Sequence, residues 1–161
     1  MKNKKELSQT IDPIPTDELL KLDNQLCFAF YVCSKEIIKK YKPLLDPLGL
    51  TYTSYITLLA LWEEDNINVK DLGKRLYLDS GTLTPILKKM EHAGLVQRKR
   101  SDTDERNVYI LLTEKGRTLK VEAANVPKQL LCSIPFGSED DLSISKLLPT
   151  LHLLMGSLTN S

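Results

Sequence analysis

Apolar residues recur at helical spacing in the first half of the chain. Between Leu19 and Tyr41 they lie three, four or seven residues apart, which predicts one long amphipathic helix with Thr16 or Asp17 as its N-cap. Prolines and a glycine then predict a break with room for at most a short helical turn, at Pro43, Pro47 and Gly49. The same spacing returns over residues 51–64 and predicts a second, strongly apolar helix.

A compact series of short elements follows these two helices. Residues 69–76 have the pattern of a short amphipathic helix, and residues 77–79 that of a turn. Asp79 or Ser80 then caps a further helix, which Gly94 ends. Residues 95–99 and 108–112 favour strands on either side of a charged stretch, which predicts a β-hairpin.

The end of the chain is again helical in pattern. Thr113 and Gly116 begin a stretch that Pro127 interrupts or kinks, and a last amphipathic helix reaches about Leu158. The predicted fold class is mainly α with a small β-hairpin wing: a winged helix-turn-helix plus long terminal dimerisation helices. The predicted divisions are a flexible N-terminal arm at residues 1–15, a dimerisation helix that contains Cys27 at 16–50, the winged helix-turn-helix domain at 51–112 and C-terminal dimerisation helices at 113–161.

Composition excludes some classes of protein. The chain has 161 residues, of which 42% are hydrophobic and 27% charged, enough for one domain with a real core. Charges interrupt the apolar runs before the roughly 18 residues that a membrane span needs. The basic and then polar N-terminus lacks the apolar stretch of a secretory signal, so we expect no membrane partner and a cytoplasmic location.

Cysteines and histidines are sparse. Cys27, Cys33 and Cys132 form an odd set without a CxxC pair or a Cys/His cluster, which does not indicate a disulfide scaffold or a zinc site. We therefore expect no metal and no cofactor. His92 and His152 are isolated, and we assign no role to either.

Charge is concentrated in the middle of the chain. The net charge is +1, but residues 69–108 carry nine basic against six acidic side chains, a local net charge of +3. Helix, turn, helix and hairpin form the order of a winged helix, whose second helix enters the DNA major groove. The candidate DNA-binding residues are Ser80, Thr82 and Thr84 at the start of that helix, Lys88 and Lys89 further along it, and Arg98, Arg100 and Arg106 in the wing. Asp104 would support the wing by pairing with arginine. The alternative is a winged helix that contacts proteins and keeps its lysines solvated.

Two segments resemble a known family. The segment LYLDSGTLTPILKKMEHAGLVQRKRSDTDERNVYILLTEKG is similar to the reading head and wing of the MarR family, whose DxR pattern is matched by Asp104 and Arg106. The segment LDNQLCFAFYVCSKEIIKKYKPLLDPLGLTYTSYITLLALWEE resembles the organic hydroperoxide resistance regulators of that family. The resemblance implies a homodimeric repressor, not an enzyme, that leaves a palindromic DNA operator when an organic hydroperoxide oxidises Cys27.

The surroundings of Cys27 fit a redox sensor. Tyr31 lies four residues on, and Tyr41, fourteen residues on, falls within about 40° of the same helix face. Phenols can donate hydrogen bonds to a thiolate, the form that attacks peroxide. The resemblance implies that Tyr41 and Tyr52 of one subunit reach Cys27 of the other, with Tyr31 close by. The alternative is an inert buried cysteine.

The other two cysteines have different predicted roles. Cys33 points about 240° away from Cys27 around the helix and is interpreted as a structural thiol. The resemblance implies that Cys132 of the partner subunit resolves oxidised Cys27 through an intersubunit disulfide, as in the two-cysteine subtype. Its alternative is a buried residue that fills an apolar helix.

Two further classes of function compete with a peroxide sensor. A thiol peroxidase would turn over peroxide, but no arginine or threonine arrangement around Cys27 supports that chemistry. A MarR-like regulator could instead be released by a small phenolic or lipid ligand, with the cysteines incidental.

Overall fold

The computed structural model describes residues 15–101, 107–134 and 143–159. The chain divides into two compact units, Met1–Lys39 and Lys40–Ser161. The predicted arm falls largely outside the described residues, as do the wing tip with Asp104 and Arg106. The domain divisions given above therefore stay a prediction.

The first unit does not begin with one continuous helix. Helix α1 covers Thr16–Leu19, a 3₁₀ helix covers Leu22–Asn24, and α2 covers Leu26–Leu45, which extends into the second unit. The predicted N-cap at Thr16 or Asp17 is wrong, because both residues lie inside α1 and Pro15 precedes it without a side-chain cap.

Side-chain amides explain the break between α1 and α2. Asn24 donates from Nδ2 to the carbonyl of Glu18 at 2.7 Å, and Gln25 donates from Nε2 to the carbonyl of Leu19 at 2.5 Å. These bonds satisfy carbonyls that would otherwise belong to a continuous helical ladder. The apolar spacing that predicted one helix carries no information about such competition.

The end of α2 also differs from the prediction. Pro43 was expected to end the helix, but α2 continues through it to Leu45, whose side chain is 1% exposed. Burial of Leu45 compensates for the backbone hydrogen bond that proline cannot donate. A 3₁₀ helix at Asp46–Leu48 and Gly49, with φ +67°, then form the predicted short turn.

The second unit contains the predicted helix-turn-helix and hairpin. Its elements are α3 Tyr52–Glu63, β1 Ile67–Asn68, α4 Val69–Leu76, α5 Ser80–His92, β2 Val96–Arg100, β3 Val108–Leu112, α6 Glu114–Ala123, α7 Val126–Ser133 and α8 Ile144–Thr159. The strands form an antiparallel sheet in the order β1-β3-β2. The two-residue strand β1 was not predicted, because it is too short to show an alternating pattern.

The reading head is the part of the second unit formed by α3, α4, α5 and the hairpin. Polar caps set the start of each of its helices. Thr51 and Ser54 form a reciprocal capping box before α3, with N–H···O distances of 3.2 and 2.8 Å. Asn68 accepts from the amide of Lys70 at 2.7 Å before α4, and Asp79 accepts from the amide of Thr82 at 2.9 Å before α5. These caps place the helix boundaries close to those predicted.

The turn between α4 and α5 requires a left-handed residue and a glycine. Tyr77 has φ 53° and ends α4, an uncommon conformation for an aromatic residue. Gly73 lies close to the turn, since a Cβ there would be 2.9 Å from the carbonyl oxygen of Leu78. The backbone of the turn is therefore packed directly against α4.

The core of the second unit lies under the reading head. Its fully buried side chains come from the end of α2, from α3, α4, α5 and from the sheet: Leu45, Tyr55, Thr57, Leu58, Leu61, Leu72, Leu83, Leu87, Val96 and Ile110. Leu83, Leu87 and Met90 form one face of α5 at spacings of four and three residues, as predicted. That face fixes which side of α5 is left to solvent.

Helix α6 and the residue before it pack closely against the residues that directly precede β2. The Trp62 indole donates to the carbonyl of Gly116 at 2.9 Å, and the hydroxyl of Thr113 donates to the carbonyl of Gly94 at 2.6 Å.

Further on, Pro127 lies in the first turn of α7, where a missing N–H costs nothing. The predicted interruption of the helical stretch at Pro127 is confirmed.

No single helix among the described residues is long and apolar enough to cross a membrane. A bent pair, Leu26–Leu48 with Tyr52–Glu63, passes a test of length and composition alone.

We expect Gly116→Ala to lower the free energy of unfolding by about 1–3 kcal/mol, the usual cost of overpacking. A Cβ at this position would lie 2.1 Å from the carbonyl oxygen of Leu95, so the backbone itself must move. The matched control is Gly156→Ala in α8, where no atom lies within 4 Å of the added Cβ and we expect a gain of about 0.5–1 kcal/mol. Urea unfolding followed by circular dichroism measures both, and equal stability of the two variants would contradict the packing argument.

Candidate functional site

The start of α5 presents three hydroxylated residues. Ser80 and Thr82 are exposed and Thr84 is half-buried. Thr84 donates from its hydroxyl to the carbonyl of Ser80 at 2.6 Å, which fixes its rotamer and leaves the oxygen able to accept. The helix thus offers small polar groups next to backbone that a large ligand can approach.

Asp79 holds this helix start in place. Its carboxylate accepts from the amide of Thr82 at 2.9 Å and from the hydroxyl of Thr82 at 2.8 Å. These hydrogen bonds from Thr82 keep the pKa of the Asp79 carboxyl below its usual value. The hydroxyl of Thr82 therefore donates within the cap rather than outward.

The basic candidate DNA-binding residues lie in two different environments. Lys88 and Lys89 on α5, and Arg100 at the end of β2, are exposed. Arg98 is instead paired with Glu91, a residue that sequence reasoning did not select. The remaining wing candidates, Asp104 and Arg106, lie outside the described residues.

The Glu91–Arg98 pair connects α5 to β2. One carboxylate oxygen accepts from Nε and from a terminal nitrogen of Arg98, at 2.7 and 2.6 Å. The other accepts from the backbone amide of Arg98 at 3.2 Å. Hydrogen bonding from the Arg98 side chain keeps the pKa of Glu91 below its usual value. Because no helical or strand period links two residues across a turn, this pair was not predictable from the sequence.

The surface between α4, α5 and the hairpin is concave. A cavity of about 920 Å³ is bordered there by Lys70, Lys74, Ser80, Arg98 and Asn107, among others. Basic and hydroxylated groups thus line one continuous depression beside the start of α5.

The cysteine candidates are all exposed thiols. Cys27 and Cys33 lie in the first unit and Cys132 lies on α7 in the second. Exposure of Cys27 and Cys132 in this single chain does not match the alternative interpretation of either as a buried residue. Tyr31, on the same helix as Cys27, is 61% exposed, and the ammonium of Lys35 lies 5.7 Å from its ring centroid.

The other two tyrosine candidates lie together. The ring centroids of Tyr41 and Tyr52 are 4.9 Å apart, and Tyr55 lies 5.8 Å from Tyr41. Burial, together with the neighbouring phenols Tyr52 and Tyr55, raises the pKa of Tyr41 to about 12. Burial also raises the pKa of Tyr52 and of Tyr55. Sequence reasoning did not place Tyr55 in this cluster, although its spacing of three from Tyr52 puts both on one helix face.

Among the described residues, no group of three or more His, Cys, Asp or Glu side chains could hold a metal ion.

The helix-turn-helix and its hairpin define a winged-helix transcriptional regulator. A family model described as "Transcriptional regulator SarA/Rot" matches residues 39–123, more than half of the chain. The chain therefore belongs to this MarR-like family of winged-helix regulators. The predicted family and fold class are confirmed, and these relatives are regulators rather than enzymes.

Within the family, the chain is similar to an organic hydroperoxide resistance regulator and to AbfR. It is 52% identical to the organic hydroperoxide resistance transcriptional regulator of Bacillus subtilis, over 83% of this chain and 93% of that protein. Reduced AbfR bound to DNA, a regulator from Staphylococcus epidermidis, aligns with a TM-score of 0.73 and 33% identity over 90% of this chain and 97% of AbfR. Disulfide-formed AbfR aligns with a TM-score of 0.61 and 34% identity over 89% and 96%.

We expect Tyr41 to make stability depend on pH in the alkaline range. Because its pKa is about 12 in the folded chain against an ordinary value of 10.0, its contribution is complete below pH 10.0 and is lost as the pH rises towards 12. Urea midpoints measured across this interval should fall more steeply for the unmodified protein than for Tyr41→Phe. The control is Tyr31→Phe, which removes an exposed phenol and should leave the slope unchanged. Parallel slopes for all three proteins would contradict the assignment.

Proposed function

We propose that the chain is a peroxide-sensing transcriptional repressor. The reduced homodimer binds a palindromic DNA operator, and oxidation of Cys27 by an organic hydroperoxide releases it. The observation that carries the proposal is an exposed thiol at Cys27, in a chain 52% identical to an organic hydroperoxide resistance regulator. Each step below rests on particular side chains.

DNA is proposed to contact α5 and the wing. Ser80, Thr82 and Thr84 would lie against base edges or phosphates in the major groove, because they occupy the first turn of the helix that follows the turn. Lys88, Lys89 and Arg100 are exposed cations that can reach the phosphate backbone. Arg106 would enter the minor groove, with Asp104 supporting the wing. The DNA-bound structure of the related AbfR supports this assignment.

Dimerisation is proposed to cover two exposed apolar surfaces. In the first unit the large exposed apolar residues are Leu19, Leu20, Leu22, Leu26, Phe30, Val32, Ile37 and Ile38. In the second unit α7 and α8 carry Leu131, Leu147, Leu148, Leu153, Met155 and Leu158, and Leu59 and Val121 are exposed on α3 and α6. Stripes of this size at both ends of a chain are typical of a surface that a second copy covers. A two-fold dimer would place two α5 helices one DNA turn apart.

The tyrosines are proposed to prepare Cys27 for reaction. Tyr41 and Tyr52 keep their protons well above neutral pH, because burial raises the pKa of both phenols. A protonated phenol can donate a hydrogen bond to a thiolate and favour that form. We propose that these two residues act on Cys27 of the partner subunit, with Tyr31 beside its own Cys27.

The proposed chemistry consumes one hydroperoxide per sensing event. The Cys27 thiolate attacks the terminal peroxide oxygen, so that an S–O bond forms, the O–O bond breaks and the alcohol leaves with a proton. The product is a Cys27 sulfenic acid. The Cys132 thiol of the partner then attacks this sulfur, forming an S–S bond and releasing water.

The disulfide step imposes a geometric demand on the dimer. Bridged cysteines need Cα atoms within about 7 Å, so any greater separation must be closed by movement of α2 or α7. Because the reading heads continue from these helices, such movement would change their spacing and weaken operator binding. A disulfide also forms in the related AbfR, which supports a disulfide step.

The test is a gel shift with a duplex that the reduced protein has selected from a random pool. One equivalent of an organic hydroperoxide should abolish the shift, and non-reducing electrophoresis should reveal a covalent dimer. Cys27→Ser should lose both responses. Cys33→Ser is the matched control, another exposed thiol on the same helix, and should keep both.

Cys132→Ser separates the two parts of the proposal. Loss of the dimer band in this variant supports the disulfide. Release of DNA without any dimer band would leave Cys27 as sensor and remove Cys132 from the mechanism. DNA binding that survives oxidation would overturn the redox function and favour a regulator released by a phenolic or lipid ligand.

A further inference from the structure

The bond between Glu91 and Arg98 is the one side-chain ion pair described between α5 and the hairpin. It joins the last turn of the helix to the middle of β2 through three donors of a single residue: Nε, a terminal nitrogen and the backbone amide. A planar guanidinium held by two nitrogens, with its own backbone fixed by the same carboxylate, has little freedom to rotate. The contact therefore constrains the position of the strand as well as that of the side chain.

The position of Arg98 in the sheet explains why its amide is available. Strand β2 lies at one edge of the sheet and has β3 as its only neighbour in the described sheet. Arg98 pairs with Ile110 of β3. In an antiparallel pair, alternate residues direct their N–H groups away from the neighbouring strand. The amide of Arg98 is one of these, and Glu91 accepts from it at 3.2 Å.

A second side-chain contact ties the other strand of the hairpin to the head. Asn68, the N-cap of α4, donates from Nδ2 to Oδ1 of Asn107 at 3.2 Å, and Asn107 directly precedes β3. Side chains thus tie the hairpin to α5 through β2 and to α4 through the tip end of β3. Strand β3 is also held by its pairing with β1, and the contact with Glu91 adds a polar attachment on the β2 side.

The neutral charge of the Glu91–Arg98 pair favours a positioning role for Arg98 over a contact with a DNA phosphate. The side chains of Arg98 and Glu91 are only 33% and 35% exposed, and the pair is neutral as a unit. A cation whose charge is already compensated releases few counterions from DNA. An unpaired Glu91 beside the proposed DNA surface would weaken binding, so its presence needs a structural reason.

We propose that Glu91 is a positioning residue that sets the angle of the wing relative to α5, and that Arg98 serves as its partner rather than as a phosphate contact. The proposal rests on the proposed function for its DNA readout. It revises the prediction that Arg98 binds DNA directly, and leaves Arg100 in that role.

The test measures DNA affinity by fluorescence anisotropy across a range of salt concentrations, with the duplex selected by the reduced protein. Glu91→Ala and Arg98→Ala should each weaken binding about tenfold, the scale of one lost charge-assisted hydrogen bond. The double variant should be no weaker than either single variant, because both remove the same constraint. Glu91→Gln, close in shape to the original, should also weaken binding.

The salt dependence provides a readout that identifies the mechanism. Arg98→Ala should leave the slope of log K against log salt unchanged, whereas Arg100→Ala should reduce it by about one. The control for removal of an acid is Glu122→Ala, an exposed residue of α6, which should leave affinity unchanged. Tighter binding by Glu91→Ala, or a reduced slope for Arg98→Ala, would overturn the proposal in favour of simple electrostatics.

Amide hydrogen exchange tests the same proposal without DNA. The amide of Arg98 should be protected in the unmodified protein and should exchange at least about tenfold faster in Glu91→Ala, with the core amides of α5 unchanged. If the unmodified protein selects no duplex from the random pool, that result would count against the proposed function alone. An Arg98 amide that exchanges equally fast in both proteins would count against the positioning role alone.

Discussion

Burial of one face of α5 is the constraint on which the rest of the reading head depends. Leu83, Leu87 and Met90 are at most 2% exposed, and they set the rotation of the helix about its own axis. Fixing that rotation leaves the hydroxyls of the first turn on the outer surface and keeps the two lysines accessible. The cap at Asp79 and the close-packed turn before it then fix where the helix begins. The polar surface proposed to contact DNA is thus decided by apolar residues that lie outside the proposed contact.

Much of this arrangement follows from local sequence. The period of apolar positions, the polar caps and Gly94 predict α3, α4, α5 and the hairpin to within a residue or two, because each boundary is set by neighbours in the chain. The predicted continuous helix from Leu19 failed for an equally local reason that periodicity does not report. There, the amides of Asn24 and Gln25 hydrogen-bond to carbonyls of the preceding turn.

Contacts between elements were less accessible to sequence reasoning. Strand β1 exists because Ile67 pairs with Ile110, more than forty residues away, and nothing within two residues reveals that pairing. The pair of Glu91 and Arg98 and the close approach of Gly116 to Leu95 also join different elements, and no local sequence pattern reveals them. The tyrosine cluster was half predicted: Tyr41 and Tyr52 were selected through a family resemblance, and the fold adds Tyr55 and the burial that raises the pKa of all three.

The central claim is that the oxidation state of the chain controls its affinity for DNA. The most direct measurement is the Kd of one selected duplex for the reduced protein, for the protein after one equivalent of organic hydroperoxide, and after reduction again with excess dithiol. We expect oxidation to weaken binding by at least about tenfold, within the usual range of allosteric coupling, and reduction to restore it. Equal affinities in all three states would contradict redox control of DNA binding.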